Sequence, residues 1–261
     1  MRNDHGNPPH QDPPDPDGTS GLPDPESGWI QGSVARTVLA AADAEPDPGR
    51  IPKVLCRTIR EGMTVDGCSM SFFTESPNRQ LVCASNEVAL RLERVQFETA
   101  EGPCVSAAAT GEVVAVRDLH HHFPTPWPVF SSRAVEELPD VGAVYGFPLT
   151  FGTHVMGAID LYRRLPGALT EEEVARGRDA AGAAALVLLA TYHRMLAGEA
   201  VPVWEPEEVI RAHWADAHTA VGVLAARRGT SHLEALAHVR ARAFGSGRAV
   251  PDVVQEILRE A

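Results

Sequence analysis

Between Ala143 and Tyr162 the chain reads AVYGFPLTFGTHVMGAIDLY. Two strand-like runs, Ala143 to Thr150 and His154 to Tyr162, meet at Gly152-Thr153. Their β-branched content and short glycine turn predict a hairpin, and a hairpin commits the chain to an antiparallel sheet. Other strands fit around it: Cys68 to Phe73 and Leu81 to Ala84 flank a turn at Pro77-Asn78, and Val113 to Val116 makes a short one. Helical patterns separate them. These cover Ile30 to Ala42, Ile51 to Gly62, Glu87 to Phe97, a segment from Pro103 closed by Gly111, a short helix near Ser131 to Glu137, and a long Ala-rich helix from Thr170 to about Met195. Strands mixed with helices in this order predict an α+β fold, with a mainly antiparallel sheet flanked by helices.

The last sixty residues are different. The pattern there gives three short helices: Glu207 to Arg228 ending at Gly229, a second opened by Ser231 with Glu234 three residues on, and a third from Pro251. Ser-x-x-Glu is the arrangement in which each side chain satisfies the other's free amide, and Pro is favoured just inside a helix start. Leu236, Val239 and Ala243 form an apolar face on the second helix, which is expected to break at Gly245-Ser-Gly247. Val250, Val253, Val254, Ile257 and Leu258 do the same on the third. The first carries Ile210, Trp214, Ala217, Val221 and Leu224 at heptad-like spacing. That seam could pack within the chain or join two chains. The organisation is then a tail over 1–28, a domain over 29–197, a linker over 198–206 and a helical module over 207–261. The Pro- and Asp-rich tail has almost no apolar side chain and is expected to be disordered.

Charge narrows the class of partner. The formal net charge of −12 argues against indiscriminate binding to nucleic acid or anionic membrane. No run of eighteen apolar residues is present to span a bilayer. The N-terminal stretch lacks the apolar core of an export signal. Residues 217–251, by contrast, hold Arg227, Arg228, Arg240, Arg242 and Arg248 against Glu234 alone. Arginine suits planar contact with phosphate and stacking on bases, so this basic island is a candidate nucleic-acid footprint.

The residues also match families. The run Ala220 to Leu258, with Ala220, Gly222, Leu224, the Ser-x-x-Glu-Ala of Ser231 to Ala235, Val239-Arg240, Ala243 and Asp252-Val253, resembles the ANTAR domain of transcription antiterminators. The family usually carries Lys where Val221 stands. The resemblance implies a three-helix module that binds RNA stem-loops in nascent transcripts. Arg227, Arg228, Arg240, Arg242 and Arg248 would then contact RNA, with Ala220 and Gly222 permitting close helix approach.

Upstream, Glu101-Gly-Pro-Cys104, Phe147-Pro-Leu149, the Gly-Ala-x-x-Leu-Tyr ending at Tyr162 and Pro166 to Thr170 resemble the GAF domain, as found in front of ANTAR modules. That implies a homodimeric sensor of a small molecule or of redox state, with its cofactor unknown; a cytoplasmic location is expected from the lack of an export signal. Its pocket is expected over Glu101 to Trp127, with Cys104, Asp118, His120 and Phe147 as candidate ligand contacts. The alternative is a dimeric sensor or scaffold whose ANTAR module no longer binds RNA.

Candidate chemistry is sparse. Cys104 in the first turn of a helix would be a favoured thiolate, against the plainer reading of a small core residue. His120-His121-His122 cannot point three imidazoles at one ion, so no metal site is expected. The four cysteines lack C-x-x-C spacing and are expected to be reduced. No nucleophile, base and orienting group can be placed together, so no enzyme activity is expected. The one enzymatic route, reduction of methionine sulfoxide by a thiol pair as in some GAF proteins, would need Cys83 with Cys104.

Overall fold

The computed structural model describes residues 34–73, 79–121, 125–197 and 208–261, with side chains of 196–197 and 208–214 left undescribed. The expected tail and linker, the Pro77-Asn78 turn, His122, and the side chains of Ile210 and Trp214 lie outside the described residues.

Nine α-helices and five strands are present among the described residues. They are α1 (Val34–Asp43), α2 (Ile51–Gly62), β1 (Gly67–Phe73), β2 (Arg79–Ala84), α3 (Glu87–Thr99), α4 (Pro103–Thr110), β3 (Val114–Val116), α5 (Pro128–Glu137), β4 (Ala143–Phe151), β5 (His154–Arg163), α6 (Glu171–Ala197), α7 (Glu208–Arg228), α8 (His232–Ser246) and α9 (Val250–Arg259). The strands form one sheet in the order β2-β1-β5-β4-β3, antiparallel throughout. The β4–β5 hairpin turns at Gly152, φ +60°, with Phe151 opposite His154.

Strand alternation sorts residues between two layers. Cys68, Met70, Tyr145, Phe147, Leu149, Ile159 and Leu161 face α1, α2 and α6 in one core. Val144 and Tyr162 face α3 and α5 on the other side, where Ala158 meets Cys104 and Ala107 of α4. Cys56 of α2 is disulfide-bonded to Cys83 of β2, with Cα atoms 6.7 Å apart. This corrects the expectation of four reduced thiols. Sequence spacing carries no signal for a pair that meets only when α2 lies on the sheet. Cys68 and Cys104 are free.

The C-terminal helices form a second core from Ala217, Ala220, Val221 and Ala225 of α7, Ala235, Leu236, Val239 and Ala243 of α8, and Val250, Val253, Val254 and Ile257 of α9. It also takes in Leu81 of β2 and Phe97 of α3. The Ser231–Glu234 capping box forms: Ser231 N donates to Glu234 Oε2 at 2.9 Å, and Glu234 N to Ser231 Oγ at 3.2 Å. α8 runs past Gly245 and ends at Gly247 in the left-handed region, φ +62°. One interior glycine costs a helix only about 1 kcal/mol, which the flanking turns outweigh.

Close backbone packing of β5 on β1 requires Gly157, where an added Cβ would stand 2.1 Å from the Ser71 carbonyl oxygen. Gly157→Ala is expected to lower stability by about 3 kcal/mol or more, read as a drop in the urea midpoint at unchanged m-value.

Candidate functional site

The layer between the sheet and α3–α4 is where polar residues collect. Ser69 and Ser71 alternate with apolar Cys68, Met70 and Phe72 along β1, so both hydroxyls point to the α3 side. They donate to Glu93 of α3, Ser69 Oγ to Oε1 at 2.8 Å and Ser71 Oγ to Oε2 at 2.9 Å. The Arg79 guanidinium, at the start of β2, pairs with the same carboxylate. Its Nη2 also lies 3.1 Å from Cys104 Sγ, and its face covers the Phe73 ring at 5.2 Å.

Gln96, one turn after Glu93, bridges the rest. Its amide nitrogen donates to Asp160 of β5, and its Oε1 accepts from Cys104 N at 2.8 Å. The contact exists because Gly102, φ +128°, has no side chain; a Cβ there would stand 2.5 Å from Gln96 Oε1. Glu93, Gln96, Asp160 and Arg79 are all buried.

Burial sets the protonation of this cluster. Two carboxylates share one guanidinium, and water is excluded, so the charged form of Asp160 is disfavoured. Desolvation, with Glu93 beside it, pushes its pKa up to about 8. Burial likewise holds the Cys104 thiol well above its ordinary value, more than Arg79 lowers it. Of the two readings of Cys104, this fits the small core residue and not the helix-activated thiolate: desolvation outweighs the helix terminus.

The remaining ligand candidates are not gathered around Cys104. Phe147 faces α6 on the other side of the sheet, where its ring fills the space beside Gly177. Asp118 lies exposed and accepts from His120 N at 3.1 Å. It lines an open groove beside β3 and α5 with His121, Trp127 and Phe130. His120 is half-buried, and its Nε2 has no hydrogen-bond partner. Cys83 belongs to the α2 side of the sheet and is bonded to Cys56, so it does not form a thiol pair with Cys104.

The basic island is distributed as well. Ala220 is fully buried in the helical core, and Val221 beside it is also buried. Ala220 therefore packs the bundle and offers no surface for close approach. Gly222 is half-buried, and a Cβ added there would stand 4.0 Å from His232 Nε2. Arg227 donates to the Glu260 carbonyl. Arg242 and Arg248 both pair with Glu256, the latter at 2.5 Å. Arg228 is exposed at a crevice shared with His238 and Arg242.

Arg240 reaches the sensor layer. Nη2 donates to the Phe97 carbonyl at 2.5 Å, and the guanidinium lies 5.1 Å from the Phe97 ring centroid. Its Nε is buried without a partner. Burial, then the charge of Arg79, lowers its pKa to about 10. His218 of α7 hydrogen-bonds the Arg79 backbone, so two helices of the bundle touch the elements that frame the polar cluster.

The GAF-domain family profile matches residues 47–188, more than half of the chain, and the chain belongs to the GAF-domain family. It is a sensor domain of α+β type, and no helix among the described residues is long and apolar enough to cross a membrane. No curated protein matches the chain. Among solved structures, it is similar to the GAF domain of a Coxiella burnetii phosphoenolpyruvate-protein phosphotransferase (18% identity, 63% of this chain and 95% of that one, TM-score 0.48). An Acinetobacter GAF domain of the same kind of protein gives 14% identity, 63% and 95% coverage, and a TM-score of 0.46. The free methionine-R-sulfoxide reductase of Neisseria meningitidis gives 12%, 62% and 89%, and 0.45.

A raised carboxyl pKa has a definite sign in stability. Folded Asp160 keeps its proton to higher pH than unfolded Asp160, so its contribution is complete below about pH 4. It is lost as pH rises through about 8. Wild-type stability is expected to fall between those limits, and Asp160→Asn to flatten that decline, measured by urea unfolding across the range.

Proposed function

We propose that this chain is a signal-responsive regulator: a GAF sensor that holds its C-terminal bundle docked, with binding of RNA stem-loops as the output of the released bundle. The observation that carries this reading is the double duty of α3. The helix contributes Glu93 and Gln96 to the buried polar cluster, and the next residue, Phe97, holds Arg240 of α8. A change in the cluster that shifts α3 acts directly on the docked arginine. The ANTAR resemblance supplies the class of output, an RNA hairpin in a nascent transcript.

The arginines fit that scheme unequally. Arg242 and Arg248 are held by the part-exposed Glu256 carboxylate, and ion pairs open to water are weak and screened by salt. Phosphate can replace Glu256 without loss of fold. Arg240 cannot serve RNA while it lies against Phe97, so docking and RNA contact compete for one side chain. Phe244 of α8 is 76% exposed. Standing four residues after Arg240 and four before Arg248, it is a platform on which a loop base can stack.

The second reading, a dimeric sensor or scaffold whose bundle does not bind RNA, is favoured by Val221. It is buried where the ANTAR family usually has Lys, and Arg227, Arg242 and Arg248 all bond inside the bundle. A gel-shift titration with tandem stem-loop RNA separates the two. Phe97→Ala is expected to tighten binding, and Arg242→Ala with Arg248→Ala to weaken it and reduce the slope of log K against log salt by about 1.5. If neither wild type nor Phe97→Ala shows salt-sensitive affinity, the scaffold reading stands.

A further inference from the structure

Glu93, Cys104 and Asp160 come from α3, α4 and β5, and their ligand atoms lie within 4.8 Å of one another in the buried layer. We infer that this trio is a binding site for one divalent first-row transition-metal ion, held by two carboxylates and one thiolate.

Three observations point there. The first is charge. With Cys104 and Asp160 protonated, Glu93 alone balances Arg79; once both protons leave, two carboxylates and a thiolate stand against that one guanidinium, a balance that one dication restores. The second is incomplete bonding. Beyond Gln96, Asp160 has only the Cys104 thiol as a partner, and Nε and Nη1 of Arg79 have none although the residue is buried. Arg79 engages the trio through Nη2 alone, which touches both Glu93 and Cys104, so an ion bound by the trio has to displace this one nitrogen. The third is orientation. Each ligand is already held from behind, as metal ligands are: Glu93 by Ser69 and Ser71, Asp160 by Gln96, and Cys104 through its backbone amide by the same Gln96.

One sulfur with two carboxylate oxygens suits iron(II), cobalt(II) or zinc better than magnesium or calcium, which take oxygen ligands. Binding replaces the thiol proton, and any carboxyl proton, by the metal, with those protons released to solvent. Three protein ligands leave a coordination position for a small exchangeable molecule. The inference deepens the sensor reading by naming what the interior of the sensor takes up. It is decided by metal binding, whereas the regulator reading is decided by RNA.

The test uses the full chain, stripped with a chelator and titrated with Co2+ under reducing conditions too mild to open the Cys56–Cys83 bond. The expected result is saturable one-to-one binding with a near-ultraviolet thiolate-to-cobalt band. Cys104→Ser abolishes the band, Cys68→Ser retains it, and Asp160→Asn weakens binding roughly tenfold or more. X-ray absorption of the Co2+-loaded wild type, which needs no variant to fold, is expected to show one sulfur among oxygen and nitrogen neighbours. Absence of saturable binding, a band that survives Cys104→Ser, or a cobalt shell without sulfur overturns the assignment.

Discussion

The buried pairing of Arg79 with Glu93 is the interaction on which the sensor half is arranged. Removing two charges from water costs several kcal/mol per ion, and only close geometry with further hydrogen bonds repays it. Ser69, Ser71 and the face of Phe73 supply those partners, which fixes β1, β2 and α3 relative to one another. Asp160, shut away from water, adds a second carboxyl beside Glu93 that the single guanidinium does not neutralise, and its high proton affinity follows. Interior chemistry and strand registry are therefore one constraint. A shift of β1 by a single residue would turn both serines away from Glu93 and leave the buried carboxylate to Arg79 alone.

The same pair sits at a boundary. Arg79 begins the strand that meets α7 through His218, and Glu93 shares α3 with Phe97, the seat of Arg240. Two guanidiniums, Arg79 inside and Arg240 outside, are close enough for the first to lower the pKa of the second. Any event that alters the charge of the interior is felt electrostatically at the bundle contact even before an atom moves.

What the sequence displayed, it displayed locally. The β4–β5 hairpin, the Ser231–Glu234 box and the α9 stripe depend on neighbours within a few residues, and each was legible. The polar cluster was not, because its members span Ser69 to Asp160 and each is unremarkable in its own element. A signal was nonetheless present: Ser69 and Ser71 at alternate positions of an apolar strand, Asp160 inside another, and Glu93 with Gln96 on one turn of a helix. Inward-facing polar residues on several elements have to find one another or remain unsatisfied. Charge counting misled in the opposite direction. Five arginines in thirty-five residues read as one basic face, but composition does not disclose that Glu256 answers two of them and that a sensor-layer ring shelters a third. Cys104 was read from its helix position either as a thiolate or as a small core residue, and only its packing against the sheet decides for the second.

The Cys56–Cys83 bond anchors β2 to α2 from behind, while the front of that strand is the side the bundle contacts. If the bundle departs, the strand is covalently prevented from following it. What is left is a rigid, end-of-sheet row of amides and carbonyls with an apolar Leu81 bared beside it, a template onto which an extended segment of another chain can add. Release of the bundle would thus create a second adhesive surface as well as a free output module. The concentration of released protein, and not only its occupancy by a signal, would then govern whether it stays dispersed.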